Sequence, residues 1–401
     1  MKKLKFILIG FVGLLVFYGI RQEFRALPTI MAVEPLGDGS EWAPTELRVL
    51  VRHGYFSPEF KEEAEARLGV AFKISYYFSE DQCWSLLESD ESWDLMLVPD
   101  RIALRLDHLK RTYDINYERI PNHHNLMVSL PAQSEMGSLL RCSVPLFFTA
   151  VGIGYDTRFV GSIPMTWKAL FQPANAGFMR GHLGLLNEPR RCLGIALIAL
   201  GLSPNTTHPG EIKQAAEHVK QFLSLIPAMD RSAESVHGGA EFLAQETARQ
   251  KIFLTMITSA AISRAMVANP GLRFSSPVDG TLLCIDALVI PRNTQNRIMA
   301  EATINFLLQP RISALLTNVS GFATTNEAAT AYFDPQLYHG PAFAFPTGKQ
   351  FYYLQDLGEA EALYQAAWSD LMAYYQDQVV PVIDRELGFD RTFLESNDYK
   401  P

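Results

Sequence analysis

The chain has 401 residues, 48% of them hydrophobic and 19% charged, which suits a globular protein of two or three domains and excludes a disordered one. Its formal net charge of −8, with no basic stripe, argues against a nucleic-acid partner. No GxSxG elbow, GxxxxGK[ST] phosphate loop or HExxH pair occurs, so the expectation is a protein that is not an enzyme and uses neither cofactor nor metal.

Met1–Arg21 reads as a secretory signal or a membrane anchor, because Lys2, Lys3 and Lys5 precede the apolar run Phe6–Ile20. Such a run spans ~22 Å as a helix, short of the roughly 30 Å hydrocarbon core, which favours a cleaved signal. Arg21, Glu23 and Arg25 follow at once, and the nearest small-residue cleavage candidate is Ala32, so an uncleaved anchor is the alternative. Loss of residues 1–32 removes five Lys/Arg and one Glu and takes the net charge to −12. Residues 33–44 are a Pro/Gly-punctuated linker. Cys83, Cys142, Cys192 and Cys284 allow three pairings in an oxidising compartment. None shows CxxC spacing, and burial as small hydrophobes is the favoured reading. The adjacent His123 and His124 point different ways in regular structure and make a poor metal pair.

The first strand is Leu47–Val51, a continuous apolar run. Ser57 is placed to cap a helix with Pro58 at its first position, Phe60, Ala64 and Leu68 on one face, and Gly69 at its end. A strand over Val70–Tyr76, a short helix over Cys83–Leu87 and a strand over Leu95–Val98 follow. This alternation predicts a parallel sheet covered by helices. The run Cys142–Asp156 then crosses to a second lobe. That lobe begins with a helix from Trp167, a strand over Leu183–Leu186 and a helix over Arg190–Leu200 closed by Gly201. Pro209–Ile226 is amphipathic, with Ile212, Ala216, Val219 and Leu223 on one side. Ile252–Ile257 is a strand, and Ser259 opens the next helix. Asp279 and Gly280 turn the chain into Leu282–Ile290, which returns to the first lobe. Pro310 breaks the long helix from Arg297, and Gly321 caps its second half. The tail Phe351–Glu386 is expected to be helical and to pack on the second lobe.

Two segments carry a resemblance. One is LGLLNEPRRCLGIALIALGLSPNTTHPGEI, Leu183–Ile212; the other is Gly280–Ala329, which contains INFLLQP at Ile304–Pro310. Both are similar, in residue type and order, to the spermidine/putrescine-binding proteins of bacterial ABC importers, and the resemblance spans roughly Leu47–Ala329. It implies an α/β periplasmic-binding-protein fold with two lobes, each an open mixed or parallel sheet flanked by helices, joined by a hinge. Lobe one would comprise residues 45–152 and 285–330, lobe two residues 153–284 and 331–401, with the ligand held between them. The implied partners are a small polar solute, a polyamine-like amine or zwitterion, and an ABC permease in the inner membrane. The implied location is the periplasm, with or without a tether. The alternative for the same fold is a ligand-sensing periplasmic module that signals through a membrane receptor.

The family holds its polyamine between aromatic walls, with carboxylates on the ammonium groups. By that resemblance Tyr55 keeps an aromatic wall, while Arg52 stands where a tryptophan is usual. Glu188 fills the place of a binding aspartate, and Arg191 that of a second carboxylate. Met256 and Cys284 replace two wall tryptophans, Phe322 replaces a tyrosine, and Asp286 matches the central carboxylate. Asp100 and Ile102 lie where the family again contacts ligand, and Phe148 and Tyr353 stand near further wall positions. Plainer roles exist for each: Glu188 as a helix cap, Arg191 as an exposed cation, Tyr55 and Phe322 as core aromatics, Met256 and Cys284 as packing. An arginine opposite an ammonium is repulsive, yet it is well suited to grip a carboxylate or phosphate. Three readings therefore stand: a zwitterionic or mixed-charge solute, a polyamine, or arginines that pair with the site's own acids and leave little to bind.

Overall fold

A computed structural model gives the structure of residues 46–127, 134–162, 164–172, 179–223, 225, 228–229, 239–335, 340 and 350–382. The expected signal and linker, and the end of the tail, lie outside the described residues.

The described residues begin with strand β1 (Glu46–Arg52), helix α1 (Pro58–Leu68), β2 (Ala71–Tyr77), α2 (Glu80–Leu87), β3 (Leu95–Pro99) and α3 (Asp100–His108). α1 starts as its sequence dictates: the Ser57 hydroxyl accepts the Phe60 N–H at 3.2 Å, and Gly69 ends the helix at φ 68°. After α4 (Ser134–Cys142) comes the long strand β4 (Ser143–Asp156), buried throughout. Next are α5 (Trp167–Phe171), β5 (Leu183–Leu185), α6 (Pro189–Ala199), α7 (Pro209–Leu223), β6 (Ala228–Met229) and α8 (Gly239–Ala248). Then follow β7 (Leu254–Thr258), α9 (Ser259–Ala268), β8 (Leu272–Ser275) and β9 (Thr281–Val289). α10 (Arg297–Leu307) and α11 (Pro310–Ser320) are separated at Pro310, and Gly321 at φ 74° stops the second. The last elements are β10 (Ala323–Thr324), β11 (Phe351–Tyr352) and α12 (Glu361–Tyr374).

The strands pair in the order β2-β1-β3-β9-β4-β7-β5-β6. β1, β2 and β3 are mutually parallel, as are β5, β6 and β7. β9 runs antiparallel to β3 and β4, with Met96 opposite Val289, so Leu47–Val51 and Leu288 belong to one sheet. β4 changes partner along its length: Ser143–Ala150 pairs with β9, and Val151–Asp156 pairs with β7 and β8. The expected parallel order thus holds within each half, and the two crossing strands make the sheet mixed.

Alternation along β1 decides which layer each residue joins. Leu47, Val49 and Val51 pack with Phe60, Phe72, Ile304 and Leu316 on one face, while Leu50 packs with Cys83, Val98 and Ile102 on the other. A third core, around Val151, Trp167, Leu193, Phe222 and Met256, fills the second half. The tail joins that core through Tyr364, Trp368 and Leu371 of α12, although Phe351–Tyr352 is a strand beside Thr281–Leu282 and not the start of a helix. All four cysteines are buried, and none is in a disulfide among the described residues. His123 and His124 direct their Nδ1 atoms at the carbonyls of Ile120, 2.7 Å away, and Pro121.

Candidate functional site

The C-terminal ends of β1 and β3, the start of α2 and the start of α6 converge on a cleft of about 240 Å³. Its walls include Arg52, Glu80 and Arg101 from the first half, Glu188 and Arg191 from the second, and Leu354 and Gln365 from the tail. This is where side chains from different strand ends meet in open α/β sheets.

Arg52 ends β1, opposite Tyr77 of β2. Gly54, at φ 89°, then turns the chain so that Tyr55 folds beneath the sheet edge. The Tyr55 hydroxyl donates to Asp286 Oδ2 at 2.5 Å, and its ring meets Phe322 edge-on at 4.5 Å and Phe147 at 5.1 Å. Asp286 sits mid-strand in β9, between Pro99 of β3 and Phe147 of β4. Burial pushes its carboxyl above the usual carboxylate range, although Arg52, the Tyr55 bond and Arg191 work in the other direction. Burial likewise raises the Tyr55 phenol, and the Asp286 charge adds to it.

Asp100 opens α3, accepting the Arg101 N–H at 2.8 Å and the Ile285 N–H at 3.3 Å. Burial, with the charge of Asp286 nearby, lifts its carboxyl to about 7 despite those two bonds. Tyr353 lies on the Asp100 side, and its buried hydroxyl has no hydrogen-bond partner among the described residues.

A charged chain joins the halves. Arg191 in the first turn of α6 pairs with Glu188 and reaches Glu80 at 3.7 Å. Glu80 also pairs with Arg101, which lies 3.9 Å from Glu361, and Glu361 is 3.3 Å from Arg190. Arg190 stacks over Tyr364 at 4.1 Å. Burial works against the Glu80 charge, but Arg101, Arg191 and Arg52 outweigh it and hold the carboxyl low. Burial also opposes the charges of Arg52 and Arg191, which their neighbours nonetheless hold above the ordinary value.

Of the residues singled out from sequence, Arg52, Glu188 and Arg191 line the cleft, with Tyr55, Phe322 and Asp286 packed together behind Arg52 and Asp100 beside them. Cys284 is buried near Arg191, its thiol pushed up to about 12 by that burial. Met256 is elsewhere: fully buried under α6, opposite Ile153 and 3.9 Å from the Cys192 sulfur, it fills the core of the second half. Ile102 and Phe148 are core residues of the first half. Sequence reasoning missed Glu80, Arg101, Arg190 and Glu361. Two of these had a signal, since Glu80 follows the N-cap Ser79 and Arg101 comes two residues after a buried strand, close to the kind of position that singled out Arg52.

Among solved structures, the substrate-binding protein PotD of a spermidine/putrescine ABC transporter from Streptococcus pneumoniae superposes with a TM-score of 0.69 at 19% identity, covering 83% of this chain and 98% of that one. The TpPotD lipoprotein of Treponema pallidum gives 0.70 at 22% identity, covering 81% and 99%. These likenesses establish the fold as that of a two-lobed periplasmic binding protein. Among curated proteins, the spermidine/putrescine-binding periplasmic protein of Salmonella typhimurium is 25% identical over 330 residues, covering 80% of this chain and 89% of that protein. A putrescine/cadaverine-binding protein of Pseudomonas aeruginosa is 24% identical over 323 residues, covering 79% and 88%. The family model described as bacterial extracellular solute-binding protein matches residues 136–346, more than half of the chain. The chain belongs to the family of bacterial extracellular solute-binding proteins.

Proposed function

We propose that this protein captures a small amine-bearing solute in the cleft between two lobes and delivers it to an ABC permease of the inner membrane. The observation that carries the reading is the buried Asp286 carboxylate, fixed on one oxygen by Tyr55 and lying on the strand where the two halves of the sheet are joined. Arg52 and Arg191 act on this carboxylate through space without an ion pair among the described residues, and an ammonium group would complete it directly. The names of the relatives, binders of spermidine, putrescine or cadaverine, support the same chemistry. Lobe one is taken as residues 45–152 and 285–330 and lobe two as 153–284 with the tail, the crossing strands β4 and β9 serving as hinge. Asp100, Tyr55 and Phe322 complete the amine end, and Arg52, Glu188 and Arg191 the rim. Residues 1–32 serve as export leader, and N-terminal sequencing of the exported protein separates a mature start near Ala32 from a retained anchor.

The test is titration calorimetry of the purified protein with putrescine, cadaverine, spermidine and monoamines. At least one amine should bind, and Asp286→Asn should weaken it by roughly tenfold or more, as loss of a charge-assisted contact does. Equal binding by the Asp286→Asn variant removes Asp286 from the site, and no binding by any amine overturns the reading.

A further inference from the structure

The cleft holds more positive charge than an amine site needs. Its lining carries four guanidinium groups, from Arg52, Arg101, Arg190 and Arg191, against three carboxylates, from Glu80, Asp81 and Glu188. Three of the four cations are engaged: Arg191 by Glu188 and Glu80, Arg101 by Glu80 and Glu361, Arg190 by Glu361. The internal pairing of arginines with acids is therefore real, but it stops short of Arg52. The Arg52 side chain makes no ion pair or hydrogen bond with any described residue, although Glu188, Glu80 and Asp286 are close enough to interact with it through space.

Its position is specific. Arg52 is three residues before Tyr55, whose hydroxyl holds Asp286, so an unpaired cation and a buried acid stand at adjoining points of one sheet edge. The start of α6 faces the same space with no acid in its first turn, and Glu188, its N-cap residue, makes no capping bond. That adds positive potential on the Arg52 side. A diamine placed with one ammonium on Asp286 would bring its other ammonium against Arg52 or the α6 terminus. An anionic group there would instead take the two-pronged contact that a guanidinium offers a carboxylate.

We propose that the solute is an amino-carboxylate, with its ammonium group at Asp286 and its carboxylate on the Arg52 guanidinium. This rests on the solute-binding reading above and narrows its substrate class. The carboxylate end would lie in the cleft of about 240 Å³ that Arg52 lines, and the ammonium end would reach Asp286 behind Arg52.

The experiment is calorimetry on the whole exported protein with three ligands of one length that share an ammonium end: 4-aminobutanoate, putrescine and butylamine. The five-carbon set is 5-aminopentanoate, cadaverine and pentylamine. In the wild type the amino-carboxylates should bind tightest. Arg52→Met should weaken them by roughly 30-fold or more, the loss expected from truncating one side of a desolvated charge pair, while butylamine changes little. Arg52→Glu should reverse the preference towards the diamine. Circular dichroism and thermal melting confirm that each variant is folded, and Arg52→Gln stands in for either that is not. A wild type that prefers diamines to amino-carboxylates overturns this inference and leaves the amine-binding reading intact. Amino-carboxylate affinity unchanged in folded Arg52 variants also overturns it, whereas failure of all six ligands in the wild type removes both.

Discussion

Arg191 of α6 and Glu80 of α2 face each other across the cleft, 3.7 Å apart, with side chains 9% and 17% exposed. Because Glu80 also pairs with Arg101, one carboxylate ties both walls together. Glu80→Gln keeps the shape and removes the charge. At this intermediate burial the loss should be about 1–3 kcal/mol of unfolding free energy, between the values for surface and buried pairs. Urea denaturation measures it, and small-angle scattering should report a larger radius of gyration as the cleft opens. An unchanged radius with unchanged stability would show that the pair does not hold the halves together.

Asp100 makes stability depend on pH in a direction opposite to most carboxylates. Its folded value of about 7 lies above the ordinary value, so the folded state favours the protonated form. The contribution is complete below the unfolded pKa and is lost as pH rises through 7. Asp286, Glu80, Tyr353 and Cys284 are titratable groups coupled to it. Chemical denaturation from pH 4 to pH 8 should show a decline that shrinks in Asp100→Asn by on the order of 2–4 kcal/mol. Parallel profiles for the two proteins would refute the assignment.

The pattern of the sequence reached most of the first half because its signals are local. Ser57, Pro58, Gly69, Pro310 and Gly321 each act on the backbone next to them, and the helices begin and end where they stand. α3, α4 and α8 were not anticipated. α3 follows β3 with no loop and with Pro99 as a side-chain-silent N-cap, so nothing in the sequence separates strand from helix. The site was legible in part. Asp286 and Tyr55 are 231 positions apart, and their bond depends on sheet order, which no local pattern encodes. Met256 illustrates the converse: a residue inside a buried strand has two faces, and spacing does not say which one meets the cleft.

β4 depends on one small residue where it changes partner. A Cβ built on Gly152 would strike the Phe274 ring and lie 2.7 Å from the Ser275 carbonyl oxygen, which belongs to the rigid backbone of β8. Gly152→Ala should therefore cost about 1–3 kcal/mol through overpacking, and the double variant with Phe274→Ala should recover only part, because the carbonyl remains. Thermal melts of the three variants give the comparison. Full recovery would place the constraint on the ring alone.

The bond between Tyr55 and Asp286 should reveal itself as a pH-dependent cost. Tyr55→Phe keeps the ring packed against Phe147 and Phe322 and removes only the donor to a buried acceptor. When Asp286 is ionised, that leaves a buried charge short of its hydrogen bond, at a cost of about 1.5–3 kcal/mol. When Asp286 is protonated, the bond is between neutral groups and the cost falls towards about 1 kcal/mol. The folded carboxyl already titrates above its ordinary range, and the Tyr55 bond is one of the influences holding it down. Removing the hydroxyl raises that pKa further, so the stability difference between wild type and Tyr55→Phe should widen as pH rises from 4 to 8. Asp286→Asn removes the titrating charge, and in that background Tyr55→Phe should cost the same at both ends of the range. Denaturation of all four proteins at pH 4 and pH 8 closes the cycle. A wild-type cost that stays at about 1 kcal/mol across pH would mean that Asp286 remains neutral throughout, and with it the carboxylate on which an ammonium ligand depends would be lost.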